Sequence, residues 1–154
     1  MTNTNSKPRF LSTLFGLGLL AAAPVAHADE SCHLIRASAS GQDHGDLTTD
    51  AVISDGGLLQ GTAHTEFSPT GFEDNTMSFV GTITITAKRA TLVVEIAGSF
   101  DVATGEFDAV STKITGTGKL LGARGSLDLH GVEDLATGKF TETLGGELCV
   151  DLAR

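Results

Sequence analysis

The sequence predicts an all-β domain arranged as an eight-stranded antiparallel up-and-down β-barrel. Apolar and polar residues alternate with a period of two, turn-forming residues separate the alternating runs, and no window of helical length carries apolar residues at helical spacing. Eight runs occur, at about 31–39, 44–54, 57–67, 75–87, 90–100, 106–114, 125–133 and 139–150. Eight antiparallel strands normally close on themselves, because closure removes unpaired edges. A β-sandwich is the alternative architecture, and a mixed α+β fold is the alternative class.

The clearest alternation lies in the middle of the chain. Ile83 and Ile85 alternate with threonines within 75–87, and the same period continues over 92–97 and 126–130. A period of two places successive side chains on opposite faces of a strand. Each of these runs therefore predicts a strand with one buried face.

An internal repeat marks two of the turns. The segment 101–107 (Asp-Val-Ala-Thr-Gly-Glu-Phe) recurs as 134–140 (Asp-Leu-Ala-Thr-Gly-Lys-Phe). The aspartate can accept backbone N–H groups, and the glycine can adopt a positive φ, as short hairpin turns require. We predict a hairpin turn at each copy. An Asp–Thr ligand pair in each turn is the functional alternative.

Residues 1–28 are predicted to be a cleavable secretory signal. Lys7 and Arg9 precede an apolar stretch, and Ala26-His27-Ala28 places small residues before a cleavage site after Ala28. A membrane anchor is the alternative, but the apolar stretch is shorter than the roughly 20 residues that a span needs. The mature β-barrel domain would comprise 29–154, secreted or periplasmic, with no membrane association after processing.

The predicted mature domain is strongly acidic. All 19 acidic residues but only eight of the ten Lys and Arg residues lie in 29–154, which gives this segment a net charge near −11. Such a charge repels phosphate backbones and anionic lipids. We therefore expect no nucleic-acid partner.

Two cysteines lie near the ends of the predicted mature domain, Cys32 in the first run and Cys149 in the last. Disulfides persist in the oxidising compartments that exported proteins reach. We predict a Cys32–Cys149 bridge that joins the first strand to the last. Free thiols or a two-thiolate metal site are the alternatives.

No metal site and no cofactor is predicted. The four histidines after residue 28 are scattered without an H-x-H or H-x-x-x-H pair, although strands of a barrel could still bring distant residues together. The segment 116–119 (Gly-Thr-Gly-Lys) resembles a phosphate-binding loop only superficially. It lacks a Ser or Thr after Lys119 and no helix follows it.

The segment 112–131 reads Thr-Lys-Ile-Thr-Gly-Thr-Gly-Lys-Leu-Leu-Gly-Ala-Arg-Gly-Ser-Leu-Asp-Leu-His-Gly. It resembles the Gly-Thr-Gly-x-[Leu/Phe]-x-Gly-Ala-x-Gly-x-[Leu] signature of the allene oxide cyclase/dirigent barrel superfamily, including its uncharacterised bacterial members. The segments that begin at Gly81 and Gly131 resemble those members too, so the resemblance covers about 60–150. It implies an eight-stranded barrel that is often trimeric and has an apolar cavity.

The resemblance does not extend to the catalytic residues. Members with known activity use, as the resemblance implies, an aromatic-lined cavity with a Tyr and acidic or amide partners, whereas this chain has no Tyr and no Trp. We therefore expect an exported binding module for a small apolar ligand, or an interaction domain, without complete catalytic machinery. A cyclase or isomerase of the allene oxide cyclase/dirigent type is the alternative. A homotrimer is the assembly that the resemblance implies.

Three residues are the candidates for contacts with a ligand: Glu95, Arg124 and His130. Glu95 lies in the most apolar run, and the other two lie in or just after the glycine-rich signature. If Glu95 faced the lumen opposite Arg124 or His130, a polar group would sit in an apolar pocket. The alternative is that Glu95 faces solvent, because Val94 and Ile96 take the opposite face.

Overall fold

Eight antiparallel strands pair in chain order and close into a barrel in the computed structural model, which describes residues 30–151. This confirms the predicted fold class. The predicted signal segment and the cleavage site after Ala28 lie outside the described residues. Within 30–151 no helix is long and apolar enough to cross a membrane. The strands are β1 (Glu30–Asp43), β2 (Thr48–Ser54), β3 (Gly61–Glu73), β4 (Thr76–Ala87), β5 (Ala90–Asp101), β6 (Glu106–Gly118), β7 (Arg124–Asp134) and β8 (Lys139–Asp151).

Every predicted run overlaps a strand, and the boundaries differ most for the run predicted at 57–67, because β3 extends to Glu73. The run predicted to begin at 57 begins instead with a 3-10 turn, Gly57–Leu59, and the strand starts at Gly61. Asp55 and Gly57 have φ values of 56° and 54°, which an extended strand cannot contain. The turn directs Leu59, which is fully buried, into the barrel.

The alternation predicted from the sequence is the inside–outside alternation of the barrel wall. Ile83 and Ile85 on β4 are buried, and so are Leu92, Val94 and Ile96 on β5. The hydrophobic core is therefore the interior of the barrel, filled by the inward side chains of all eight strands.

The two ends of the barrel differ. One end, which we call the closed end, carries the β2–β3, β4–β5 and β6–β7 connections. Leu59 and Leu120 project from two of these connections and are 0% and 1% exposed, so they plug the lumen. The other end, the open end, carries the β1–β2, β3–β4, β5–β6 and β7–β8 connections, and none of these contributes such a plug.

The predicted disulfide is present near the closed end. Cys32 and Cys149 lie directly opposite each other on β1 and β8, and their sulfurs are bonded at 2.06 Å. The bridge therefore fastens the seam where the first and last strands close the barrel.

Both copies of the internal repeat form hairpin turns at the open end, as predicted. Asp101 Oδ1 accepts the backbone N–H of Ala103 at 2.8 Å, and Asp134 Oδ1 accepts that of Ala136 at 2.9 Å. The glycines that end the two turns have φ values of 78° and 68°. The aspartates thus serve the turns themselves.

The glycine-rich signature builds the β6–β7 connection of the closed end. A Cβ at Gly116 would meet the backbone carbonyl of Leu120, so only glycine lets the connection fold back onto β6. The close approach positions Leu120 as a plug. The segment packs the β6–β7 connection against β6, and this packing is its role in the structure.

Candidate functional site

The three predicted ligand-binding residues lie apart on the outer surface. All three are exposed, and none lines the barrel lumen. Each has a polar partner on that surface: Glu95 pairs with Lys113 at 2.8 Å, Arg124 pairs with Asp151 at 3.0 Å, and His130 forms a hydrogen bond with Asp108 at 2.6 Å. The structure therefore does not bring Glu95, Arg124 and His130 together around a ligand.

A cavity of about 230 Å³ opens instead at the open end of the barrel. Its wall on β3 to β6 is apolar apart from Thr65, and four of the nine residues that line it are phenylalanines. Phe67 and Phe79 are in ring contact there at 5.8 Å between centroids, and Phe107 contacts Phe140 of β8 edge-to-face at 6.0 Å. The remaining large apolar side chains of this wall are Met77, Ile83, Ile96 and Phe100.

Inward-facing glycines make room for these rings. At three positions an added Cβ would contact the ring of a cavity-lining phenylalanine: Gly41 with Phe140, Gly98 with Phe79, and Gly131 with Phe107. Phenylalanine rings can therefore lie against the wall where a larger residue would push them into the lumen. The three glycines lie on three different strands, so the shape of the cavity depends on residues that are far apart in the sequence.

Glu142 is the carboxylate held deepest among apolar groups. It lies on the inward face of β8 between Phe140 and Leu144, and Gly131 of β7 and Ala39 of β1 are its register partners. Within residues 30–151 its side chain makes no hydrogen bond and no ion pair, and its carboxylate oxygens are open to the cavity. Burial raises the pKa of Glu142 to about 7, because the apolar surroundings disfavour the charged form.

Two further carboxylates line the cavity nearer the rim. Glu133 is on β7 and Asp43 is at the end of β1. The pKa of Glu133 is raised, first by burial and then by the negative charges of Asp43 and Asp134. The cavity thus has an acidic side on β7, β8 and β1 and an aromatic side on β3 to β6.

Sequence reasoning missed Glu133 and Glu142, although a signal was present. Glu142 lies two residues from Phe140 and two from Leu144, so a period of two places all three on one face. The same rule places Glu133 on the face of Leu129. Selecting Glu95 by the apolarity of its strand was a weaker criterion than selecting carboxylates by the face they occupy.

A cluster of three titratable side chains, Asp50, His64 and His44, lies on the outer wall. Asp50 accepts hydrogen bonds from His64 at 2.7 Å and His44 at 3.0 Å. These bonds, His64 first, lower the pKa of Asp50, and the bond to Asp50 raises the pKa of His64. The group joins β2, β3 and the β1–β2 connection on the surface and does not reach the cavity.

Within 30–151, Cys32, Glu147 and Cys149 bring three potential metal-ligand atoms together. Both sulfurs are already bonded to each other, so neither is a thiolate that could bind a metal. The residues give no support to a two-thiolate site.

Comparison with protein-family models, curated proteins and solved structures finds no match to this chain.

Proposed function

We propose that this chain is an exported binding module that holds a small apolar ligand in the cavity at the open end. The observation that carries the proposal is the aromatic lining of a concave site that opens at one end only. Ligand sites of proteins are typically concave, mostly apolar and furnished with a few polar groups that orient the ligand. The carboxylates on β7, β8 and β1 are the charged groups of this site, and Thr49 and Thr65 add hydroxyls.

The volume of the cavity limits the size of the ligand. A buried apolar cavity of about 150 Å³ accommodates benzene. In proportion, the 230 Å³ found here accepts a molecule of roughly nine or ten non-hydrogen atoms. Such a ligand has one ring with a short substituent, or a branched chain of similar bulk.

Two features support export. The positive, apolar and small-residue order of segment 1–28 is typical of a secretory signal. The Cys32–Cys149 bridge fits an oxidising compartment, where such bonds persist.

A matched pair of variants tests the proposed site. Thr65 lines the cavity from β3, whereas Thr62 on the same strand is exposed on the outer wall. Thr65→Phe places a ring in the cavity, and Thr62→Phe places the same ring outside. We expect ligand-observed NMR to show that 2-phenylethanol and indole bind the unmodified protein and Thr62→Phe, but not Thr65→Phe. Equal binding to the two variants would place any binding elsewhere and would refute the proposed site.

A cyclase or isomerase acting on an apolar substrate is the second candidate. It is favoured by Glu142, an unpartnered carboxyl whose pKa lies near neutrality, as suits a general acid or base. The resemblance to the allene oxide cyclase/dirigent superfamily also supports it. This candidate requires chemical conversion of a bound compound that Glu142→Gln abolishes. Binding that leaves every bound compound chemically unchanged favours the binding module.

A further inference from the structure

The charges that line the cavity have one sign. Asp43, Glu133 and Glu142 line it, and among the described lining residues there is no Lys, Arg or His. An anionic ligand would place its charge beside these carboxylates, with no cation to offset the repulsion. A fatty acid or another apolar acid is therefore a poor occupant.

Charged residues outside the cavity add to the negative charge at the open end. The four connections of the open end contain Asp46, Asp74 and His44 and neither Lys nor Arg, whereas those of the closed end contain Lys88, Arg89 and Lys119 with one acidic residue, Asp55. Most strands have an acidic residue as their terminal residue at the open end, and Lys139 is the basic exception. The acidic residues are Asp43, Glu73, Asp101, Glu106 and Asp134. Charges of one sign around a cleft attract ligands of the opposite sign. The open end should therefore attract cations.

The aromatic side of the cavity also suits a cation. Phenylalanine rings present a negative face to a nearby ammonium group and an apolar surface to a hydrocarbon body. Phe107 and Phe140 lie next to the acidic side, since Phe140 is the register partner of Glu133 and Phe107 that of Gly131. An ammonium group near Glu142 would thus meet a carboxylate and rings together.

We infer that the ligand of this cavity is a small apolar amine, with its ammonium group against Glu142 and its hydrocarbon body against the phenylalanines. The inference rests on the proposed binding function and specifies its ligand class. Glu142 has no hydrogen-bond or ion-pair partner in the described chain, and an ammonium group supplies a hydrogen bond together with a compensating positive charge, which a neutral or anionic ligand lacks. Glu133 and Asp43 add attraction nearer the rim.

Binding of an amine should release a proton. The inward-facing titratable groups around Glu142 are Glu133 on β7 and Asp43 on β1, and both are acidic. The empty cavity keeps Glu142 protonated below its pKa of about 7. An adjacent ammonium group favours the carboxylate, so amine binding at about pH 6 should expel about one proton from the site.

Three probes of similar size test the charge preference: 2-phenylethylamine, 2-phenylethanol and phenylacetate. Their dissociation constants are measured by calorimetry at about pH 8, where Glu142 is ionised. We expect the amine to bind about 10- to 100-fold more tightly than the alcohol, and phenylacetate not to bind. Equal affinities for amine and alcohol, or tighter binding of the acid, would overturn the inference and leave the binding function intact. If none of the three binds, the proposed function itself fails.

Two substitutions on β8 test whether the preference for the amine over the alcohol arises inside the lumen. Glu142→Gln should reduce the preference for the amine over the alcohol, taken as the ratio of their dissociation constants, by about tenfold or more. Glu147→Gln, on the exposed outer face of the same strand, should change neither value. Calorimetry at about pH 6 in two buffers of different ionisation enthalpy should show proton release with the unmodified protein and none with Glu142→Gln. An amine preference that survives in Glu142→Gln would contradict the assignment of the ammonium group to Glu142.

Discussion

Replacing Glu142 with glutamine is expected to stabilise the barrel at alkaline pH and to leave its stability at acid pH nearly unchanged. Burial in the cavity raises the pKa of Glu142 from 4.5 to about 7. Each unit of such a shift corresponds to about 1.4 kcal/mol of differential stability between the charged and neutral forms. Ionised Glu142 therefore lowers the free energy of unfolding by roughly 3 kcal/mol. A neutral glutamine amide avoids this penalty.

The direction in which the free energy of unfolding changes with pH depends on whether the folded or the unfolded state retains the proton of Glu142. Below about pH 4.5 the carboxyl is protonated in both the folded and unfolded states, and it contributes no pH dependence. Between about pH 4.5 and 7 the unfolded chain releases the proton while the folded barrel retains it, so the free energy of unfolding falls as pH rises. Above the folded pKa the penalty is complete.

Urea denaturation of the unmodified protein, Glu142→Gln and Glu147→Gln, with the disulfide intact, measures this difference. The raised pKa values of Glu133 and His64 give pH dependences of the same sign, so the difference between Glu142→Gln and the unmodified protein isolates Glu142. The two curves should coincide near about pH 4 and separate by roughly 3 kcal/mol near about pH 8. Parallel curves, or an unmodified protein that gains stability above neutrality, would refute the reasoning.

Two further predictions concern stability. The disulfide spans 117 residues, and its removal in the Cys32→Ser/Cys149→Ser variant should lower the free energy of unfolding by up to about 4 to 5 kcal/mol in the chain-entropy model; an unchanged urea midpoint would contradict this. A Cβ at Gly131 would lie 2.8 Å from Glu142 Cβ and also meet the ring of Phe107, so Gly131→Ala should cost about 1 to 3 kcal/mol. Gly71→Ala, where a Cβ meets nothing within 4 Å, should be nearly neutral in the same assay, and equal costs would refute the packing argument.

The fold could be predicted because its determinants are local or pairwise. Period-two alternation of Ile83 and Ile85 depends only on which face of a strand is buried, and the two Asp-x-Ala-Thr-Gly turns satisfy their own backbone groups. The disulfide could be predicted from the expectation of export and from the presence of only two cysteines after residue 28. Each of these inferences needed no knowledge of how distant strands pack.

The site could not be located because it depends on which end of the barrel is filled. The 3-10 turn that inserts Leu59 and the glycine-rich connection that inserts Leu120 decide that the cavity opens at the other end. Neither insertion follows from alternation. Period-two alternation could have placed Glu142 on the inward face of β8. A carboxylate between Phe140 and Leu144 indicates a binding site, however, only when a cavity is known to lie beside it.

The two ends of the barrel divide stability and binding between them. The closed end collects the disulfide, the glycine-rich connection and the fully buried Leu59, Leu120 and Leu148. The open end contains features that lower stability, namely an incompletely filled lumen and the unpartnered carboxyl of Glu142. A barrel selected for stability alone would fill this space with a larger apolar side chain, and Gly41, Gly98 and Gly131 instead keep it open. A ligand that supplies both apolar volume and a partner for Glu142 would recover the lost stability, so ligand binding should raise the melting temperature.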